Sequence, residues 1–204
     1  MGAYDNLNDI QLDVLREIGN IGSGNACTAL SVLIGTAVDM SVPNIRFLDI
    51  KTAKEFLGED NVVLGIMIEV KEDLKGMMFH IVHKDFAQKI INTFYPRDLS
   101  DFSELNEMDL SVLSEMGNIT SGAYANSIAT LTGMVVDIAA PEHHIGTIDE
   151  ILRIPIEAYA EIGDKILVID EQFFICDEQL TSNMILVLEN SSLSKLFEKL
   201  GITG

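Results

Sequence analysis

Two hydrophobic periods run through this chain, and each of them occurs twice. Ile10, Val14, Ile18 and Ile21 recur at three- and four-residue steps, the spacing of one face of a helix, and that stripe is the expected core side of a long first helix. Further on, residues 62–68 are almost uniformly apolar, as in a strand covered on at least one face. The pattern predicts a strand over 61–70, a turn over 71–75, a strand over 76–83 and a helix over 84–95 that stops at Pro96, because proline cannot continue a helix. The second half predicts the same series: strand 165–176, turn 177–181, strand 182–189 and helix 191–200, with Gly201 as the residue that ends it.

Sliding the chain along itself makes the repetition explicit. At an offset of 98, Leu12 to Pro43 aligns without gaps on Leu110 to Pro141, and 14 of the 32 pairs are identical. Chance would supply about two, given average residue usage. The offset drifts from 98 to 106 by the second hairpin, so eight extra residues are expected between Pro141 and that hairpin. Each half reads as long helix, strand at the repeated proline, short helix or loop, hairpin, helix. The expectation is an α+β fold of two tandem repeats, residues 1–98 and 99–204, related by a pseudo-twofold axis and forming one compact unit.

Beside the apolar stripe, Asp13, Glu17 and Asn20 stand at i, i+4 and i+7, with Gly24 one turn later. Ser111, Glu115, Asn118 and Gly122 hold the same four places in the second helix. These residues share one face. A single Glu-x-x-Asn is ordinarily a solvated helix surface. Here other polar positions differ between the copies (Arg16 against Ser114, Asn25 against Ala123), whereas Glu, Asn and Gly do not. Asparagine and glycine are also poor helix formers, glycine by up to about 1 kcal/mol against alanine. Gly19 and Gly117 have a competing structural explanation, close helix–helix contact across the pseudo-dyad. Glutamate plus asparagine offers no nucleophile for covalent catalysis. It suits orienting a water and pairing with a cation on a partner.

Composition narrows the partners. With 13 Lys+Arg against 32 Asp+Glu the net charge is −19, which opposes binding to nucleic acid or to an anionic membrane surface. Hydrophobic residues at 48% are ample for a core. Two cysteines, Cys27 and Cys176, are too few for a disulfide framework. No apolar stretch approaches a membrane span and no secretory leader is visible, so a cytoplasmic location is expected.

The spacing [Asp/Ser]-x3-Glu-x2-Asn-x22-Pro, present as Asp13, Glu17, Asn20, Pro43 and again as Ser111, Glu115, Asn118, Pro141, resembles the signature of the CheC/CheX/FliY family of chemotaxis phosphatases. The resemblance covers essentially the whole chain. It implies hydrolysis of the aspartyl phosphate on the response regulator CheY, with Asn20 and Asn118 positioning water and Glu17 and Glu115 pairing with the regulator's lysine. It implies no cofactor in this chain, Mg²⁺ residing on CheY. Pro43 and Pro141 are expected to start the strand behind each helix. CheD, a receptor deamidase, is implied as a regulatory partner. Residues 147–152 read as an N-capped amphipathic helix with no equally clear counterpart in the first half, and Asp149 within it is a candidate contact for CheD. The competing class is a non-catalytic adaptor of CheY or CheD, or a flagellar switch component, which is expected to carry a further domain.

Other signals fall away. Gly19-Asn-Ile-Gly22-Ser-Gly24 lacks the lysine of a phosphate loop and lies within a helical pattern. His80/His83 and His143/His144 have no third ligand at suitable spacing. The sequons at Asn118 and Asn190 have no bearing on a cytoplasmic chain.

Overall fold

The computed structural model describes residues 7–158, 165–176 and 178–202; Asp177, in the expected second turn, lies outside them. The first half runs α1 (Asp9–Ile34), β1 (Val38–Met40), β2 (Asn44–Asp49), α2 (Ile50–Leu57), β3 (Val62–Glu72), β4 (Gly76–Val82) and α3 (Lys84–Asn92). The second repeats the order as α4 (Glu107–Thr132), β5 (Val136–Ile138), β6 (Glu142–Thr147), α5 (Ile148–Ala158), β7 (Lys165–Ile175), β8 (Glu178–Leu188) and α6 (Asn190–Lys199). The α+β class and the duplicated order expected from the sequence are both present.

The long helices start and stop by the same local chemistry. Asn8 caps α1 in a capping box with Gln11, and Asn106 caps α4 in one with Asp109. Each box satisfies backbone N–H groups that the first turn leaves unpaired. Gly35 and Gly133 end the helices at φ 67° and 70°, a left-handed conformation that costs glycine little. All of these positions are 98 apart.

The strands form one eight-stranded antiparallel sheet, ordered β1-β7-β8-β4-β3-β5, with β2 also on β7 and β6 also on β3. Phe79 pairs with Ile185 in the centre, a separation of 185 − 79 = 106. The β4–β8 register is therefore self-complementary and the pseudo-dyad passes between these two residues. On the outside, Asp49 pairs with Lys165 and Thr147 with Val62. There the first member of each pair is offset by 147 − 49 = 98 and the second by 165 − 62 = 103.

Those offsets relocate the extra residues. Five enter between the short helix and its following strand, and the remaining three (106 − 103) enter in the second hairpin, where β8 begins earlier than β4. The expectation that residues 147–152 lack a counterpart is corrected: α5 begins at Ile148 and α2 at Ile50, 98 residues apart, and the two helices pack together. α2 is the shorter of the two, eight residues against eleven, and carries fewer apolar side chains.

Both sheet faces are covered, more than the one face the sequence required. Leu64, Ile66, Ile68, Leu167, Ile169, Met184 and Leu186 pack toward α1, α4, α3 and α6. Their neighbours Val63, Met67, Phe79, Ile81, Ile185 and Val187 pack toward α2 and α5. Burial on both sides is why these strands read as unbroken apolar runs.

The expected core stripe of the first helix is also corrected. The buried positions of α1 are Leu15, Ile18, Gly19, Gly22, Ser23, Ala26, Cys27, Leu30 and Ile34, while Ile10 is 64% exposed. The true stripe is rotated toward small residues, because close approach to the sheet and to α4 selects size over hydropathy. A Cβ on Gly19 would lie 2.3 Å from Ile45 Cδ1, and one on Gly117 would lie 2.8 Å from Ile66 Cγ2. These glycines make room for the sheet, not for the other helix. The helix–helix contact falls on Gly22, beneath the Tyr124 ring, at a position that is threonine in the second copy.

Candidate functional site

With their small residues turned inward, α1 and α4 must turn the neighbouring face to solvent. Asp13, Glu17, Asn20 and Gly24 are exposed, as are Ser111 and Glu115, while Asn118 and Gly122 are half-buried. The structure thus places each set together on one helix face. The two sets remain apart: no hydrogen bond or ion pair joins Glu17 or Asn20 to Glu115 or Asn118. Among the described residues, none of these four side chains has a hydrogen-bond or ion-pair partner. At 1.5 Å rise per residue, Glu and Asn in each pair are about 4.5 Å apart along the axis. A carboxylate and a carboxamide so spaced on a rigid helix can enter one small cleft of another molecule together.

The glycine positions differ in kind from Gly19 and Gly117. A Cβ on Gly24 would meet nothing within 4 Å, and one on Gly122 would meet only Ile138 Cδ1 at 3.9 Å. Nothing inside the molecule requires glycine there.

The flanks of the two faces have diverged. Beside Asn20, Arg16 donates to Asp13 Oδ1 at 2.8 Å, an exposed pair of small energetic consequence. In the second face Ser111 and Ser114 replace them, and Ser114 Oγ instead bonds Leu110 O and His143 Nε2. The prolines do not simply start a strand. Met40 pairs with Phe173 and Asn44 with Asp170, so Ser41, Val42 and Pro43 oppose two residues, Glu171 and Gln172. Likewise Ile138 pairs with Val70 and Glu142 with Met67, so Ala139, Ala140 and Pro141 oppose Ile68 and Glu69. Each proline closes a β-bulge, where its missing N–H leaves no ladder bond broken.

Beneath the faces lie groups that sequence reasoning passed over. Ser23 bonds the Tyr124 hydroxyl, which donates to Glu171 Oε1 at 2.6 Å. Burial away from water raises the Glu171 carboxyl to about 7, despite the hydrogen bonds from Tyr124 and Ser23. On the other helix, Ser121 Oγ meets His80 Nε2 at 2.8 Å, with Thr120 Oγ1 at 3.3 Å. Burial lowers His80 to about 4. The identity Ser23/Ser121, among the 14 matched pairs, was the available signal.

Asp149 sits elsewhere. It lies on α5, on the opposite side of the sheet from α1 and α4, and pairs with Lys54 of α2 and with Arg153. The hydrogen bond from Lys54, then the Arg153 charge, holds its carboxyl below the usual range.

The model of the CheC-like family matches residues 10–46 and 108–145, two segments 98 apart that contain both faces. The CheY-P phosphatase CheC of Bacillus subtilis is 30% identical over 206 aligned residues, covering 98% of this chain and 99% of the relative. The chain belongs to the CheC-like family. CheC-like architecture is also evident in solved structures. FliY of Thermotoga maritima superposes with a TM-score of 0.69 at 23% identity, over 96% of this chain and 98% of that one. The CheX chain of a CheX–CheY–BeF3–Mg²⁺ complex from Borrelia burgdorferi superposes with a TM-score of 0.55 at 17% identity, covering 81% and 93%. Among the described residues, no helix of this CheC-like chain is long and apolar enough to cross a membrane.

Proposed function

We propose that this chain hydrolyses the aspartyl phosphate of a CheY-type response regulator, one site on each long helix. One observation carries the reading: the same Glu-x-x-Asn face occurs on two rigid helices, its four side chains exposed or half-buried and without partners among the described residues. Membership of the CheC-like family supports it, as does the CheY-P phosphatase named at 30% identity.

In this reading the two repeats, 1–98 and 99–204, each enter a regulator cleft by their helix. The carboxamide of Asn20 or Asn118 accepts from an attacking water and donates to a phosphoryl oxygen, as the water-positioning glutamine does in GTP hydrolysis. Water oxygen bonds to phosphorus as the bond to the aspartyl oxygen breaks, leaving free carboxylate and inorganic phosphate. Glu17 or Glu115 pairs with the regulator's lysine and fixes the register, so binding weakens with added salt. Gly24 and Gly122 leave space for the regulator, Asp13 and Ser111 line the approach, and the bulges at Pro43 and Pro141 support each helix from behind. Mg²⁺ belongs to the regulator, an arrangement favoured by the CheX relative solved with CheY, BeF3 and Mg²⁺.

The test is the decay of phosphorylated CheY with wild type and with Asn20→Ala/Asn118→Ala. Wild type is expected to accelerate decay and the double variant to lose at least about 100-fold, the scale of removing one positioned polar group in a transition state. No acceleration by wild type would leave the adaptor reading, binding without hydrolysis. Equal acceleration by the double variant would remove the asparagines from the mechanism.

CheD is the proposed regulator of this activity, docking on the α2/α5 side through Asp149. Asp149→Lys is expected to leave unassisted hydrolysis near wild type and to abolish any stimulation by CheD. Unchanged CheD affinity in a titration would refute that contact.

A further inference from the structure

The outward face of each long helix carries one more matched position. Ile10 lies 64% exposed and Met108 63% exposed, 98 residues apart in the first turns of α1 and α4. Counting 100° per residue, Ile10 falls about 20° from Glu17 around the helix, and Met108 stands in the same relation to Glu115. Each is two turns, about 10.5 Å, before its glutamate and about 15 Å before its asparagine. The identity differs between the copies, but a large, exposed apolar side chain is common to both. The flanks at Arg16/Ser114 show what unconstrained positions on these helices have done.

Resting on the phosphatase reading, we infer that Ile10 and Met108 are the apolar anchors by which each face grips the rim of the response regulator's active site, outside the phosphate cleft. The distance suits this: an interface of standard size is a patch of about 800 Å² per partner, wide enough to hold both the inserted asparagine and a contact 15 Å from it. The chemistry suits it too. Glutamate and asparagine entering a polar cleft lose much of their attraction to desolvation, and burying an exposed apolar side chain beside them stabilises the complex. Charge separates the occupants. Asp9 and Asp13 stand within one turn of Ile10 and Glu107 beside Met108, with Glu17 and Glu115 two turns along the same faces. In a chain of net charge −19, two such faces repel each other, and a second copy is a poor occupant. A partner presenting a lysine within its site is complementary.

The anchors act on binding, so they separate from the catalytic pair in steady-state kinetics on phosphorylated CheY. Glu115→Lys silences the second face and reports the first; Glu17→Lys does the converse. In the Glu115→Lys background, Ile10→Ser is expected to raise KM about tenfold with kcat within twofold, and Ile10→Met to restore KM. In the Glu17→Lys background, Met108→Ser and Met108→Ile should behave likewise. Circular dichroism and thermal melting are expected to be unchanged, since neither side chain packs inside. Unchanged KM in both serine variants would overturn the anchors while leaving the phosphatase reading intact. Full activity in Glu17→Lys/Glu115→Lys would overturn that reading itself. A loss of self-association in the serine variants, with KM constant, would assign the face to a second copy and also overturn the proposal.

Discussion

The inner and outer faces of the two long helices show opposite outcomes of one duplication. Inside, Ser23 and Ser121 are the same residue at the same position, both fully buried, yet their partners differ: Tyr124 and Glu171 for one, His80 for the other. Outside, Glu17 and Glu115, Asn20 and Asn118 are the same residues, with no hydrogen-bond or ion-pair partner among the described residues. A buried hydroxyl must be hydrogen-bonded because leaving it unpaired costs about 1–3 kcal/mol, and any partner of the right geometry will serve. The sheet has supplied different ones: Glu171 stands where the first half has Ile68, and His80 where the second has Leu186, by the offsets of 103 and 106. Packing therefore tolerates divergence if the partner changes too. On the outer face Glu, Asn and Gly are kept while Asp13/Ser111 and Arg16/Ser114 have diverged, and on the proposed function the partner regulator is what holds them.

Breaking the inner network should produce the largest effect. Tyr124 fills the groove over Gly22 and is 1% exposed, so Tyr124→Ala is expected to cost about 4 kcal/mol, the range for a buried aromatic. Tyr124→Phe, which keeps the ring and removes the hydroxyl that Ser23 and Glu171 share, should cost about 1–2 kcal/mol. Urea denaturation would read both. Equal loss in the two would mean that the hydroxyl, not the ring, dominates this contact.

The two networks also respond to pH with opposite signs. His80 is lowered from 6.5 to about 4, so between those values the unfolded chain binds more protons and stability is lost as pH falls. Glu171 is raised from 4.5 to about 7, so the folded chain binds more protons and stability is lost as pH rises through that window. Each 2.5-unit shift corresponds to about 3 kcal/mol at most. Where the windows overlap, from 4.5 to 6.5, the slopes oppose and wild type should be nearly flat. Glu171→Gln is expected to unmask the rise toward neutral pH, and His80→Asn to unmask the fall. Melting curves at half-unit pH steps would check this; parallel profiles for the two variants would contradict the opposed signs.

The smallest effects sharpen the contrast most. Gly24→Ala has open space for its Cβ and is expected to stabilise α1 by up to about 1 kcal/mol through helix propensity. Gly19→Ala must displace Ile45 and should destabilise by about 1–2 kcal/mol. On the proposed function, Gly24→Ala gains melting temperature and loses phosphatase efficiency. A variant that gained both would show that glycine there serves no partner.

The offset of 98 led from the sequence to the duplicated long helices, the strands after each proline and the Glu-x-x-Asn faces, and the dense apolar runs, by then offset by 106, to both hairpins. It failed where side-chain size mattered more than hydropathy. Of Ile10, Val14, Ile18 and Ile21, which read as core by period, Ile18 is buried and Val14 packs half-buried against the core, but Ile10 is exposed, and Gly19, Gly22, Ser23 and Ala26 take the inner stripe because the helix lies close to Ile45 and Tyr124. It also missed the match of α2 to α5, because α2 is short, and the match becomes plain only through the pairing of Asp49 with Lys165 and Thr147 with Val62.

Local physics is what a sequence states by itself: the caps at Asn8 and Asn106, the glycine stops at Gly35 and Gly133, the periods of helix and strand, and a repeated polar face that no local rule demands. Which small residues face the sheet, where eight extra residues are absorbed and which buried group answers each serine depend on distant residues, from 26 positions away for Gly19 and Ile45 to 101 for Ser23 and Tyr124. Those choices are made by packing two sheet faces at close range, where volume and hydrogen-bond geometry across the pseudo-dyad decide and sequence neighbours have no part.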